Sequence, residues 1–167
     1  MTKIFLSLTL ALVLLAGCGA PSPKLAGNLS MTVKDYQQAA DYYEKALKDD
    51  PDSVMLLTNL GRAYYNLGEY DKAETNFKGA TQVQNGYPTA DFYLGLCAIA
   101  KGDRQAGFDI FDKFRYIGKS HVTKSVRSMS KQLTDNTDDS NDYLIQKMFQ
   151  AWNDGMQAEH QAETGRN

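Results

Sequence analysis

Few side chains in this 167-residue chain are equipped for chemistry on their own. There are two histidines, His121 and His160, and neither has a cysteine or a second histidine at metal-ligand spacing. Cys97 lies between Leu96 and Ala98 in an apolar helical stretch, with no cation or histidine beside it. That setting makes it a small buried hydrophobe rather than a reactive thiol. The acids Asp135, Asp138, Asp139 and Asp142 fail as a calcium loop, because the sixth and twelfth positions hold Ser140 and Gln146 instead of glycine and glutamate. No glycine-rich phosphate loop, G-x-S-x-G or H-E-x-x-H occurs. The expectation is a protein that is not an enzyme and needs no metal or cofactor. A small hydrolase would require a pair of acids, or a histidine and an acid, to converge from distant elements.

The remaining chemistry is at the amino end. "MTKIFLSLTLALVLLAGC" has a basic Lys3, an apolar run from Ile4 to Ala16 and then small residues. The run falls short of the roughly 20 residues that a spanning helix needs, and it reads as a secretory signal. Leu15 to Cys18, "LAGC", resembles the lipobox of bacterial lipoproteins. That resemblance implies a signal peptide over residues 1–17 and lipidation of Cys18, with residues 18–32 as anchor and tether. Cleavage after Ala20 is the rival, but it leaves Pro21 directly behind the cut. Each buried methylene adds about 0.8 kcal/mol, so two or more acyl chains hold a protein on a membrane. The resemblance implies a cell-envelope protein on the outer membrane, facing the periplasm, since Gly19 is not the aspartate of an inner-membrane retention signal. With Cys18 lipidated, Cys97 has no disulfide partner.

The elements behind these residues follow a period. Composition is ordinary, with 43% hydrophobic and 23% charged residues, which rules out disorder over most of the length. The formal charge of −2 argues against nucleic-acid binding. Shifting the chain by 34 residues lays Leu60-Gly61 on Leu94-Gly95, Gly68-Glu69 on Gly102-Asp103 and Phe77 on Phe111. Shifting it the other way lays Ala73 on Ala39, Phe77 on Tyr43 and Ala80 on Ala46. Glycines inside helices cost about 1 kcal/mol relative to alanine, so the recurring ones need a packing reason.

With this period the chain resembles the tetratricopeptide repeat. Leu57, Leu60, Gly61, Tyr64, Ala73, Phe77 and Ala80 stand at that family's signature positions in the middle copy, Val54 to Tyr87. The resemblance implies an all-α solenoid of helix-turn-helix units, about 2.5 repeats over residues 33–119. Small residues at 61, 73 and 80 would let paired helices approach, with Gly68 in the turn. The first copy opens on a short or frayed helix, since "APSPKLAGNLSMTV" has two prolines. In the third copy Gly107 and Phe114 replace alanines and Lys119 replaces the closing proline.

Beyond the repeats, residues 120–133 form an additional helix, 134–141 an acidic loop, and 142–162 a helix striped by Ile145, Met148, Phe149, Trp152 and Met156. A stacked solenoid exposes an apolar end, so the last helix reads as a cap; filling the groove or gripping a partner is the alternative. From Lys113 to Lys131 there are six lysines or arginines and no acid, whereas the segment from Gln132 to the end holds seven acids and two bases. Either the acidic loop lies against the basic helices or a basic patch awaits an acidic partner, anionic lipid or peptidoglycan.

By the family's geometry the first helix of each repeat supplies the concave wall. That places Thr58, Arg62, Tyr65 and Asn66 on it from the middle copy, and Phe92, Leu96 and Ile99 from the third. The implied function is a lipid-anchored scaffold binding a protein or peptide partner, in pilus, secretion or outer-membrane assembly. An adaptor for peptidoglycan enzymes and a self-assembling structural subunit are the other readings.

Overall fold

Prolines, glycines and acidic caps divide the chain into helices before any packing begins. A computed structural model describes residues 20–135 and 138–165, and every regular element among them is an α-helix. In order these are α1 (Pro23–Thr32), α2 (Tyr36–Asp49), α3 (Val54–Asn66), α4 (Tyr70–Val83), α5 (Pro88–Ala100), α6 (Arg104–Lys113), α7 (Ser120–Leu133) and α8 (Asn141–Thr164). The leader expected over residues 1–17 and Cys18 lie outside the described residues.

Each hairpin turn is built alike. The backbone passes through the left-handed region once per turn, at Lys34 (φ 62°), Gly68 (φ 77°) and Gly102 (φ 93°). The next residue caps the following helix: Asp35 accepts from the Gln38 N–H at 3.1 Å and Asp103 from the Ala106 N–H at 3.0 Å. Glu69, in the same register, makes no such bond.

The pairs α1/α2, α3/α4 and α5/α6 pack within themselves, and α2 on α3 and α4 on α5 join them into an all-helical solenoid of three units. The first unit differs from expectation. Within the stretch expected as a tether, residues 23–32 form a helix packed on α2, the short helix expected at the front of the first copy rather than a frayed one. Ser22 caps α1, Pro23 occupies its first turn, where a missing N–H is harmless, and Gly27 lies beneath the Tyr43 ring.

The core has two parts. Ala39, Tyr43, Leu60, Tyr64, Ala73, Phe77 and Ala80 fill the first two units. Phe92, Leu96, Ile99, Phe111, Phe114, Val126, Leu144 and Met148 fill the space among α5, α6, α7 and α8. The departures of the third copy find their use here. Gly107 lets α6 close on α5, since a Cβ there would meet Ile99 Cγ1 at 2.6 Å and the Gly95 carbonyl at 2.8 Å. Phe114 leaves the helix after Lys113 and turns inward, 5.8 Å between ring centres from Trp152. α8 packs along α7 and also across α5.

Candidate partner-binding groove

The inner wall of this solenoid comes from α1, α3 and α5, but α8 covers the last of these. Its Phe149 ring lies 5.6 Å from Phe92, 5.8 Å from Tyr93 and 6.3 Å from Tyr65, and Trp152 lies 4.6 Å from Phe92. Phe92 is 1% exposed, and Leu96 and Ile99 are fully buried. These three residues, expected on an open concave wall, are core. The reason is the end effect of a solenoid: the inner face of the third unit is apolar, and α8 removes it from water. Thr58 is also buried, its hydroxyl donating to the Val54 carbonyl at 2.7 Å.

Of the other expected wall residues, Tyr65 is half-buried between the two cores, edge-on to Tyr93 at 5.3 Å, and burial pushes its phenol well above the ordinary value. Asn66 is exposed and donates to the Arg62 carbonyl at 2.7 Å. Arg62 is the centre of what remains open.

A cavity of about 360 Å³ between α1 and α3 is lined by Asn28, Met31, Thr32, Tyr43, Asn59 and Arg62. The Tyr43 hydroxyl donates to Asn28 Oδ1 at 2.8 Å, which leaves the Asn28 amide group as a donor toward the cavity. Arg62 Nη1 reaches Asn59 Oδ1 at 3.5 Å, and its guanidinium lies 5.8 Å from the Tyr93 ring centre. Arg62 Nε is buried and has no acceptor among the described residues. Among the described residues no acid lines the cavity. The site is therefore rich in donors, and it can hold carboxylate or carbonyl oxygens.

Asn28 and Asn59 were missed in the sequence, although a signal for Asn28 was there. It stands one 34-residue period before Arg62, as Leu96 stands one after, so the three occupy equivalent wall positions.

Against known proteins, tetratricopeptide-repeat models match residues 8–53, 31–81 and 58–119. The chain carries tetratricopeptide repeats. It is a scaffold for protein–protein interaction. It is similar to the heat-shock protein cognate co-chaperone sgt12 of Aspergillus fumigatus, 33% identical over 57% of this chain and 29% of that protein. The chain thus spans under a third of that relative. Among solved structures it resembles the Sgt2 tetratricopeptide domain of Aspergillus fumigatus, with a TM-score of 0.53, 22% identity, and coverage of 87% of this chain and 82% of that one. It also resembles the TPR2B-domain:pHsp70 complex of yeast Sti1, with a TM-score of 0.53, 17% identity, and coverage of 77% and 92%.

These likenesses overturn the expected location. The curated relatives include a co-chaperone of Aspergillus fumigatus and a small glutamine-rich tetratricopeptide repeat-containing protein of Saccharomyces cerevisiae, not lipoproteins of a bacterial envelope, and the outer-membrane, periplasm-facing placement is withdrawn. Among the described residues no helix is long and apolar enough to cross a membrane, and no group of three or more metal-ligating side chains occurs.

Proposed function

We propose that the groove between α1 and α3 binds an extended, carboxylate-bearing peptide of a partner protein, and that the chain acts as a co-chaperone adaptor. The observation that carries this reading is the buried Arg62 Nε without an acceptor, set between two asparagines. A buried unsatisfied donor costs about 1–3 kcal/mol, more when charged, and a ligand oxygen would recover it. Lys24 extends the donor row, one turn before Asn28 on the same face of α1 and exposed. Tyr65 and Tyr93 give the row an aromatic end, suited to a side chain beside the carboxylate.

The chaperone part of the reading is supported by the co-chaperone relative and by the yeast Sti1 domain in complex with pHsp70. Calorimetric titration with purified Hsp70 tests both parts. Wild type should bind, and Arg62→Ala/Asn59→Ala should weaken binding about tenfold or more, the worth of one charged hydrogen bond. Absence of binding would remove Hsp70 as partner. Binding unchanged in the double variant would remove the groove.

A further inference from the structure

The α6–α7 loop and one stripe of α7 border an open cavity of about 890 Å³ that shares no lining residue with the α1–α3 groove. Arg115 enters it from the loop, and Lys124, Arg127 and Lys131 from α7. Spacings of three and four residues put the last three on one helical face, away from the buried Val122, Val126 and Leu133. One carboxylate lines the cavity, Glu159, and it is already engaged: it accepts the His121 N–H and faces His121 Nδ1 at 3.3 Å.

Among the described residues, the side chains of Arg115, Lys124, Arg127 and Lys131 make no hydrogen bond or ion pair. The acidic loop expected to neutralise this segment is tied elsewhere, through Arg104, which donates to Asn141 Oδ1 at 2.7 Å and to the Asp139 carbonyl. At the amino-terminal end of α7, Lys119 pairs with Glu163 at 2.7 Å and His121 lies against Glu159. Like charges one turn apart repel, and an anionic ligand would relieve that repulsion along the whole stripe.

We propose that this cavity is a second docking site, for an acidic segment of a protein partner that also carries an apolar side chain. Length argues for a chain rather than a single anion: from Ser120 to Lys131 the wall of α7 runs about 16 Å, the reach of about five extended residues. The apolar requirement comes from the lip, where Ile117 is 92% exposed beside Tyr116. Shape argues against a lipid surface, since a planar bilayer cannot follow cations arranged along a recess that includes the half-buried Arg127.

Fluorescence anisotropy on the full chain, with a labelled synthetic peptide of repeated glutamate-glutamate-leucine triplets, tests the site. Phosphatidylglycerol vesicles and a single-stranded oligonucleotide of equal charge serve as rivals. Wild type should prefer the peptide, Lys124→Ala/Arg127→Ala should weaken it about tenfold, and Ile117→Ser should weaken it a few-fold. Lys113→Ala, which removes a nearby charge outside the cavity, and Arg62→Ala should leave it unchanged, with circular dichroism confirming that all variants fold. Equal affinity in wild type and the double variant, or preference for vesicles or oligonucleotide, would overturn the proposal. Because Arg62→Ala is silent here and Arg62→Ala/Asn59→Ala decides the other groove, the two sites fail separately.

Discussion

Gly61 of α3 lies flat against the ring of Phe77 of α4, so close that a Cβ on Gly61 would stand 2.7 Å from Phe77 Cε1. The same contact recurs one period to either side, Gly27 on Tyr43 at 2.7 Å and Gly95 on Phe111 at 2.6 Å. Each repeat is thus pinned by one glycine and one aromatic ring, and the ring cannot retreat: Tyr43, Phe77 and Phe111 are at most 1% exposed.

Gly61→Ala should therefore destabilise despite alanine's better helix propensity. The propensity gain is about 1 kcal/mol, whereas overpacking a closed core costs typically 1–3 kcal/mol. A net loss of about 1 kcal/mol is expected in urea unfolding. Adding Phe77→Leu, which shortens the opposing side chain, should give a double variant less destabilised than the sum of the two single changes. Strict additivity, or a stabilised Gly61→Ala, would mean that the ring yields freely.

Lys34 is the exception in the turn series. It holds φ 62° where the next two repeats use Gly68 and Gly102, and it is exposed. A left-handed backbone costs a side-chain-bearing residue roughly 1–2 kcal/mol, part of which glycine returns as unfolded-state entropy. Lys34→Gly should raise stability by about 0.5–1 kcal/mol, and Gly68→Lys should lower it by a similar amount. A shift of the urea midpoint at constant slope is the readout; a destabilised Lys34→Gly would show that the lysine makes a contact worth more than its strain.

These contacts explain what the sequence disclosed. Gly61, Phe77 and Ala80 announce a helix pair because close approach demands small residues at fixed intervals, and the period carries that demand to Gly95 and Phe111. α1 was legible only as a short or frayed helix because Pro21 and Pro23 read as breakers, although Pro23 behind Ser22 opens a helix. The stripe of α8 was legible as apolar but not as to its seat. Periodicity reports which face is buried, never which neighbour buries it, so Phe92, Leu96 and Ile99 were assigned to a wall that Phe149 and Trp152 occupy. Arg62 was found by its chemistry; the asparagines beside it, neutral and common, carried no such flag.

Glu159 ties the far end of α8 to the start of α7. Gly155, one turn earlier, permits the crossing, since a Cβ there would meet Val122 Cα at 2.5 Å. Lys119, at the cap position of α7, supplies no side-chain cap, and Glu159 accepts the His121 N–H in its place. Burial alone would raise its carboxyl, but the His121 N–H and imidazole outweigh that and hold it below the ordinary 4.5, with Lys119 adding to them. Glu163, paired with Lys119, is lowered too, and His160 faces the same turn. A carboxyl with a lowered folded pKa contributes stability that is complete above about 4.5 and is lost as pH falls through the lower folded value. Glu159→Gln keeps an oxygen for the His121 N–H and removes only the charge. Wild type should thus melt at a higher temperature than Glu159→Gln at pH 7, and the gap should narrow below pH 4.5 and close in stronger acid. A gap that stays constant across that range would show that Glu159 serves α7 by packing alone.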